Sequence, residues 1–259
     1  MRISNSSIQT FKRCPRLWEL QYIHNLYPTA PAAEPLAIGS TYHDKLEQLI
    51  KTGEYNQTAD PKTDAMVHAF KCHIMPKISQ SGDTFQTEKW FEYTTKSGNV
   101  IVGRYDGIGT KNLLEHKTTS SKIDGNYWLD VLNDEQVLTY MMASGLKKVL
   151  YTVCQKPTLR QSKNEPFEDY VQRCKDWYNT DTESKIDVSE ITHTSGEVKL
   201  HEMAVDAMCA TIANCKNFYQ NRAYCKHWGR MCDYAPICND YVPGAKLVGF
   251  EQRLNSFKL

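Results

Sequence analysis

The chain has 259 residues, enough for one substantial core or two small ones. Hydrophobic residues make up 41% and charged residues 24%, a globular balance that excludes general disorder. Lys plus Arg number 31 against 30 Asp plus Glu, and the net charge of +1 excludes nucleic-acid binding by bulk charge, though not a local basic groove.

No apolar run reaches the roughly 18 residues of a membrane span. The start, MRISNSSIQTFKRC, has no apolar stretch for a signal peptide, so the sequence reads as a soluble cytoplasmic protein without a membrane partner. The 9 cysteines are an odd number in a chain too large to need disulfide staples, which reads as thiols in a reducing compartment. Cys72, Cys154, Cys174, Cys209 and Cys215 lie in apolar or helical contexts and read as buried structural residues. Cys225, Cys232 and Cys238 lie in CKHWGRMCDYAPIC, whose Gly and Pro read as loop. Three thiols there suggest a metal or cluster lacking one ligand.

The predicted elements begin with a helix over Ser6–Arg13, a break at Cys14–Pro15, and helix again through Trp18 and Tyr22. A Pro/Ala-rich linker, PTAPAAEP, precedes an amphipathic helix over Ile38–Ile50 with His43 and Glu47 one turn apart. A second helix covers Thr63–Ile78. The period then changes: Phe85–Tyr93, Val100–Asp106 and Asn112–Lys117 are rich in β-formers and separated by turn residues, a three-stranded meander. Tyr127–Ser144 has helical spacing with Asn126 as N-cap, and KVLYTVC over Lys148–Cys154 reads as a strand. A helix over Phe167–Tyr178 follows, then a long one over Glu197–Asn221 with Thr194 and Glu197 at capping-box spacing. The order predicts a mixed α/β core with helical elaborations.

The stretch VGRYDGIGTKNLLEHKTTS concentrates the candidate chemistry. Residues two apart on a strand share a face, so Glu115 and Lys117 project together while His116 points away. The short turn makes the strands antiparallel neighbours and brings Asp106 beside Glu115. Two carboxylates and an ammonium converging there form a site for a hard divalent cation plus a cationic group beside it. Gln136 and Tyr140, four apart, share a helix face, and His43 adds a candidate imidazole. Taken singly, these are also the residues of a turn, a solvated strand face, a helix surface and an ordinary histidine. Their conjunction in order sets them apart.

That conjunction resembles the RecB-type, iron–sulfur-containing branch of the PD-(D/E)XK nuclease superfamily, the branch with CRISPR-associated and phage recombination nucleases. The elements that carry the resemblance are GSTYHDKLE with His43, GRYD with Asp106, EHK with Glu115 and Lys117, QVLTY with Gln136 and Tyr140, and the opening SNSSIQTFKRCPRLWELQY. The resemblance implies a PD-(D/E)XK core, a small mixed sheet flanked by helices, with helical N- and C-terminal elaborations joined by a four-Cys metal centre. The whole chain, 1–259, would be a single nuclease domain, with 36–157 as catalytic core and 1–24 and 197–240 carrying the terminal helices and cysteines. Asp106, Glu115 and the backbone carbonyl of His116 would hold Mg²⁺ or Mn²⁺, with His43 completing the shell. Lys117 would orient the nucleophile, Gln136 and Tyr140 would position the substrate backbone, and Glu88 would assist from the preceding strand.

In the iron–sulfur members an early Cys joins three near the C-terminus, which here implies Cys14 with Cys225, Cys232 and Cys238. The family's spacing has two residues between the first pair and five between the second, whereas Cys225 and Cys232 enclose six and Cys232 and Cys238 enclose five. His227, Trp228 and Gly229 would form a loop bulging from the longer gap. A [4Fe–4S] cluster is the expected centre and zinc the rival, whose knuckles favour shorter gaps. The implied function is a metal-dependent DNA nuclease, an exonuclease on single strands or DNA ends in recombination, repair or spacer acquisition. The phage recombination nucleases in that branch also admit a phage-encoded origin. The alternative is a non-catalytic DNA-binding or scaffolding subunit that keeps the fold within a larger complex. The sequence lacks GxxxxGK[ST], so any helicase motor belongs to a partner.

Overall fold

Residues Ala33–Phe91 and Arg104–Lys199 form one compact unit of the chain, and Met1–Ala32, Glu92–Gly103 and Leu200–Leu259 form another. The computed structural model describes residues 1–31, 34–227, 230–245 and 247–253; part of the linker PTAPAAEP and the expected loop residues Trp228 and Gly229 lie outside them. In chain order the first elements are β1 (Arg2–Ser4), α1 (Asn5–Arg13), α2 (Pro15–Trp18), β2 (Leu26–Pro28), α3 (Glu34–Thr52), α4 (Pro61–Ala69), α5 (Met75–Ser79), β3 (Gln86–Thr94) and β4 (Val100–Ile108). There follow β5 (Leu113–Thr119), α6 (Gly125–Val131), α7 (Glu135–Ser144), β6 (Lys148–Gln155), α8 (Phe167–Asp176), β7 (Ile186–Thr192), α9 (Ser195–Ala213), β8 (Lys226–His227), β9 (Arg230–Met231) and β10 (Phe250–Gln252).

The first of these units is built on a mixed sheet. β4 and β5 are antiparallel with Gly107 opposite Leu114, β5 and β6 are parallel from Leu113↔Val149 to Thr119↔Gln155, and β6 and β7 are antiparallel from Lys148↔Thr192 to Cys154↔Ile186. β3 pairs with β4. Leu113 and Leu114 are consecutive and both fully buried, which an alternating strand permits only when both faces are covered. Leu114, Cys154 and Ile186 pack with Tyr42, Leu46, Met66 and Phe70 of the α3–α4 layer. Leu113, Val149 and Tyr151 pack with Val131, Val137, Tyr140 and Met141 of the α6–α7 layer. The same parity sends Glu115 and Lys117 toward α7 and the His116 ring toward α3.

Several expected elements are corrected. The helix expected over Tyr127–Ser144 is two helices, because Asp134 takes an extended backbone and its carboxylate caps α7 by accepting from the Gln136 N–H at 2.9 Å. Asp124, not Asn126, caps α6, accepting from the Tyr127 N–H at 3.0 Å. The helix expected over Thr63–Ile78 starts at Pro61 and widens into a π-helical turn at Phe70–Ile74, ahead of Pro76, which has no N–H to give. The edge strand β7 was not foreseen. Cys154, Cys174 and Cys209 are buried as expected, whereas Cys72 is exposed and Cys215 half-buried.

In the second unit β1 runs parallel to the start of β4, Arg2↔Val100 to Ser4↔Val102. The Ser4 hydroxyl caps α1 by accepting from the Ser7 N–H at 3.2 Å, and Lys12 and Arg13 sit in the last turn. Cys14 takes an extended conformation between α1 and α2, with Pro15 opening the second helix, the break expected from Cys14–Pro15. Helix α9 ends at Ala213, eight residues before the expected end at Asn221. No described helix is long and apolar enough to cross a membrane.

The turn that aligns β4 with β5 is held by one side chain. Asp83 accepts from the backbone N–H groups of Thr110, Lys111 and Asn112, each at 2.8 Å, and from the Thr110 hydroxyl and Asn112 amide. A Cβ on Gly109 would lie 2.4 Å from an Asp83 carboxylate oxygen, so any side chain there would push the Asp83 carboxylate off its donors. Burial pushes the Asp83 carboxyl up, but these donors outweigh it and hold it well below the ordinary range. A depressed folded-state value stabilises above the unfolded value near 4 and is lost as pH falls through the folded one. Asp83→Ala therefore lowers stability by ~2 kcal/mol at pH 7 in denaturant unfolding, and the gap to wild type narrows as pH falls below about 4. An unchanged midpoint would show that the turn holds without Asp83.

Candidate active site

The strand parity set by Leu113 and Leu114 places a carboxylate and an ammonium together on β5. Glu115 is 1% exposed, its Oε1 accepts from Lys117 Nζ, and its Oε2 is buried with no hydrogen-bond partner among the described residues. Lys117 Nζ also donates to Gln136 Oε1 at 2.7 Å. Gln136 Nε2 donates to Tyr140 Oη at 2.8 Å, and the Tyr140 hydroxyl donates to the Arg104 carbonyl at 2.6 Å. One chain of hydrogen bonds thus joins β5, α7 and β4.

Asp106, near the end of β4, turns its Oδ2 to the His116 backbone N–H at 2.8 Å and lies 3.6 Å from His43 Nδ1 of α3. Glu88 of β3 completes the cluster: ligand atoms of His43, Glu88 and Asp106 all lie within 4.8 Å of one another. Glu88 has φ +55°, a left-handed backbone that a non-glycine strand residue rarely holds. Its Oε2 also lies 2.5 Å from Arg104 Nε. The His116 ring lies on the far face, with Nδ1 2.7 Å from the Thr152 hydroxyl and the ring 5.3 Å from that of Phe70.

The electrostatics separate the two carboxylates. Burial pushes Glu115 up to about 8; Lys117 opposes it and Asp106 adds to it. Burial also works against the charge on Asp106, but contact with His43, the charges of His43 and His116, and the His116 N–H hold it down at about 2. Burial lowers the His116 imidazole to about 4, so it is neutral at pH 7. Burial opposes the Lys117 ammonium too, yet the charges of Glu115 and Asp134 raise it.

The structure therefore brings His43 to Asp106 and Lys117 to Glu115 and Gln136, with Asp106 on the His116 backbone N–H, Tyr140 4% exposed, and the His116 ring turned to the far face. Gln136 and Tyr140 turn their polar atoms inward, to Lys117 and to β4. Glu88 was expected only to assist, and Asp134 was not expected at all. A ligand atom of Glu88 lies within 4.8 Å of those of His43 and Asp106. Asp134 receives the Tyr151 hydroxyl at 3.2 Å while capping α7; an Asp preceding a helical run was its signal. The donor set fits a divalent cation: oxygen ligands with one imidazole, and a buried carboxylate oxygen lacking a partner.

The four cysteines lie in the other unit as free thiols. Cys14 Sγ accepts from the Asn221 N–H at 3.4 Å, the Cys225 thiol faces the Asn221 carbonyl at 3.9 Å, and Arg16 Nε donates to the Cys238 carbonyl at 3.0 Å. Burial raises the Cys232 thiol, and Cys14 and Cys225 add to it; burial raises Cys238, with Cys14 and Cys232 adding. β8 and β9 pair as a ribbon, Lys226↔Met231, and the Cys232 N–H donates to the Cys225 carbonyl at 2.8 Å. The pairing of β8 with β9 thus sets Cys225 beside Cys232.

The sequence model of the PD-(D/E)XK nuclease superfamily matches residues 2–239, and the chain belongs to that superfamily. No curated protein sequence matches it. Among solved structures it is similar to a candidate exonuclease from Eubacterium rectale, at 11% identity over 95% of this chain and 90% of that one, with a TM-score of 0.54. It is also similar to a phage-related exonuclease from Haemophilus somnus 129PT (10% identity, 82% of this chain, 93% of that one, TM-score 0.41). A third is the alkaline exonuclease LHK-Exo from Laribacter hongkongensis (15% identity, 71% of this chain, 82% of that one, TM-score 0.33). The Eubacterium protein shares the fold.

Titration calorimetry with Mn²⁺ tests the pocket directly. Asp106→Asn, Glu115→Gln and Glu88→Gln are each expected to weaken Mn²⁺ binding about 10- to 100-fold, a range reached even when only a group supporting a ligand is lost. Wild-type affinity in Glu88→Gln would remove Glu88 from the metal's surroundings.

Proposed function

We propose that this chain is a divalent-metal-dependent deoxyribonuclease, an exonuclease on single strands or DNA ends in recombination, repair or spacer acquisition. The observation that carries the reading is Glu115 Oε2, a buried carboxylate oxygen without a hydrogen-bond partner among the described residues, close to the His43–Glu88–Asp106 cluster. Such an atom costs about 1–3 kcal/mol or more unless something coordinates it. Asp106, Glu115, His43 and the His116 carbonyl are the proposed ligands of Mg²⁺ or Mn²⁺, with Glu88 adjoining them. A bound ion would supply Lewis acidity at the scissile phosphate and lower the pKa of a water molecule.

The chain's own groups then have defined tasks. Two of the three Lys117 N–H bonds go to Glu115 and Gln136, and the third is assigned to the attacking water or a phosphate oxygen. Gln136 fixes the Lys117 rotamer, and Tyr140 fixes Gln136 while anchoring β4 through the Arg104 carbonyl. Hydrolysis would leave a 5′-phosphate and a 3′-hydroxyl. A non-catalytic scaffold would not need the Lys117–Gln136–Tyr140 chain, so the catalytic reading is preferred. A helicase or a recombination or repair complex remains the proposed setting. The chain is proposed to act as one nuclease domain, with 36–157 as catalytic core and 1–24 and 197–240 carrying the terminal helices and cysteines.

For Cys14, Cys225, Cys232 and Cys238 we propose a [4Fe–4S] centre acting as a structural clasp. The gaps of six and five residues between the three C-terminal cysteines exceed those favoured by zinc knuckles. Its test is the visible spectrum and metal content of anaerobically purified protein. Iron with broad absorption near ~400 nm supports the cluster; a colourless zinc protein supports the rival.

The nuclease reading is tested with end-labelled single- and double-stranded DNA in Mg²⁺ or Mn²⁺. Asp106→Ala, Glu115→Ala and Lys117→Ala are each expected to lower cleavage by on the order of 10²-fold or more, with circular dichroism unchanged. EDTA should abolish wild-type activity. Cleavage that survives either treatment would exclude the pocket from the reaction.

A further inference from the structure

We infer that Trp90 and Arg104 form a platform beside the metal pocket that holds an unpaired DNA nucleotide, its base on the Trp90 indole and its phosphate on the Arg104 guanidinium. The inference rests on the nuclease reading and adds to it the form of DNA that the pocket's rim receives.

Trp90, on β3, is 58% exposed, although tryptophan is among the more buried residue types. The Arg104 guanidinium lies over its ring, 5.5 Å from the ring centre, and the Arg104 side chain is itself 52% exposed. The pair is joined to the pocket. Arg104 Nε reaches Glu88 Oε2 at 2.5 Å, and Glu88 shares the 4.8 Å cluster with His43 and Asp106. The Arg104 backbone is fixed from the other side by the Tyr140 hydroxyl at 2.6 Å, the end of the hydrogen-bond chain that orients Lys117. Pocket, Glu88, Arg104 and Trp90 therefore follow one another without a break.

This pairing has the chemistry of single-strand recognition. An aromatic face accepts any base that is free of its duplex stack, and an adjacent guanidinium adds a planar donor set for phosphate. A base inside a duplex offers its edges, not its face, so the platform selects unpaired or frayed ends. With a net charge of only +1, affinity for DNA must come from such local contacts. Glu88 engages the Arg104 Nε–H, so the recognition of phosphate falls to the remaining guanidinium donors.

The experiment measures binding of a fluorescein-labelled 20-nucleotide single strand in EDTA by anisotropy, and cleavage of the same strand in Mn²⁺, for wild type, Trp90→Ala, Trp90→Phe and Arg104→Gln. Trp90→Ala should weaken binding and raise KM about tenfold with little change in the single-turnover rate at saturating DNA, while Trp90→Phe stays near wild type. Arg104→Gln should flatten the slope of log affinity against log salt by about 0.7, one phosphate's share for a single strand, while Trp90→Ala leaves the slope unchanged. Wild-type affinity and KM in Trp90→Ala, with DNA still cleaved, would overturn the platform and leave the nuclease reading standing. Wild-type protein that neither binds nor cleaves the strand would overturn both.

Discussion

A carboxylate held 1% exposed against an ammonium is the constraint around which the unit Ala33–Phe91 with Arg104–Lys199 is organised. Burying an ion costs several kcal/mol even after relaxation, and attraction to a partner offsets this only when the remaining lone pairs are satisfied. Glu115 meets that condition on one side only. Oε1 has Lys117, and Oε2 has no hydrogen-bond partner among the described residues, so the pair is not arranged for stability alone. The surrounding architecture keeps it in place: the Asp83-held turn and the pairing with β6 from Leu113 to Thr119 fix the register of β5, and Gln136 and Tyr140 brace Lys117 from α7. A one-residue slip of β5 would exchange Glu115 with His116 and empty the pocket of its chemistry.

The pocket separates its acids by environment. Asp106 is kept ionised by His43 and the His116 N–H, while Glu115 is raised by burial. His43 itself is raised, its burial outweighed by Asp106 and Glu115. A cation brought among these groups would find one carboxylate already charged and another whose charge its own presence would favour. The strained backbone of Glu88 fits the same account, since a left-handed residue in a strand persists only when its surroundings hold it there.

Much of this was legible in the sequence where local pattern and burial agree. The alternation around EHK, the GIGTKN turn and the Cys14–Pro15 break specify β4, β5 and the α1–α2 junction through backbone rules alone. The interruption of the Tyr127–Ser144 helix was not legible, because the apolar period runs on through Val131 and Leu132 while Asp134 serves two purposes, as a helix residue in the pattern and as a cap in the structure. β7 escaped because only its Ile186 and Ile191 are buried, five residues apart, which breaks the period of two. The site's ingredients could be read from strand parity and helix spacing, but their connections could not. That Gln136 and Tyr140 turn inward and that Glu88 stands beside His43 and Asp106 depend on contacts between segments distant in sequence, whereas the β8–β9 pairing that draws Cys225 to Cys232 is local.

The central claim is that Glu115 Oε2 lacks a partner because a metal ion is its partner. An anomalous difference map from crystals of the full chain grown with Mn²⁺ tests this most directly. The account predicts one strong peak in contact with Glu115 Oε2 and Asp106, with His43 beside it and Lys117 still bridging Glu115 and Gln136. A map with Mn²⁺ bound elsewhere, or with Glu115 Oε2 turned to a protein donor while the ion sits apart from it, would contradict it.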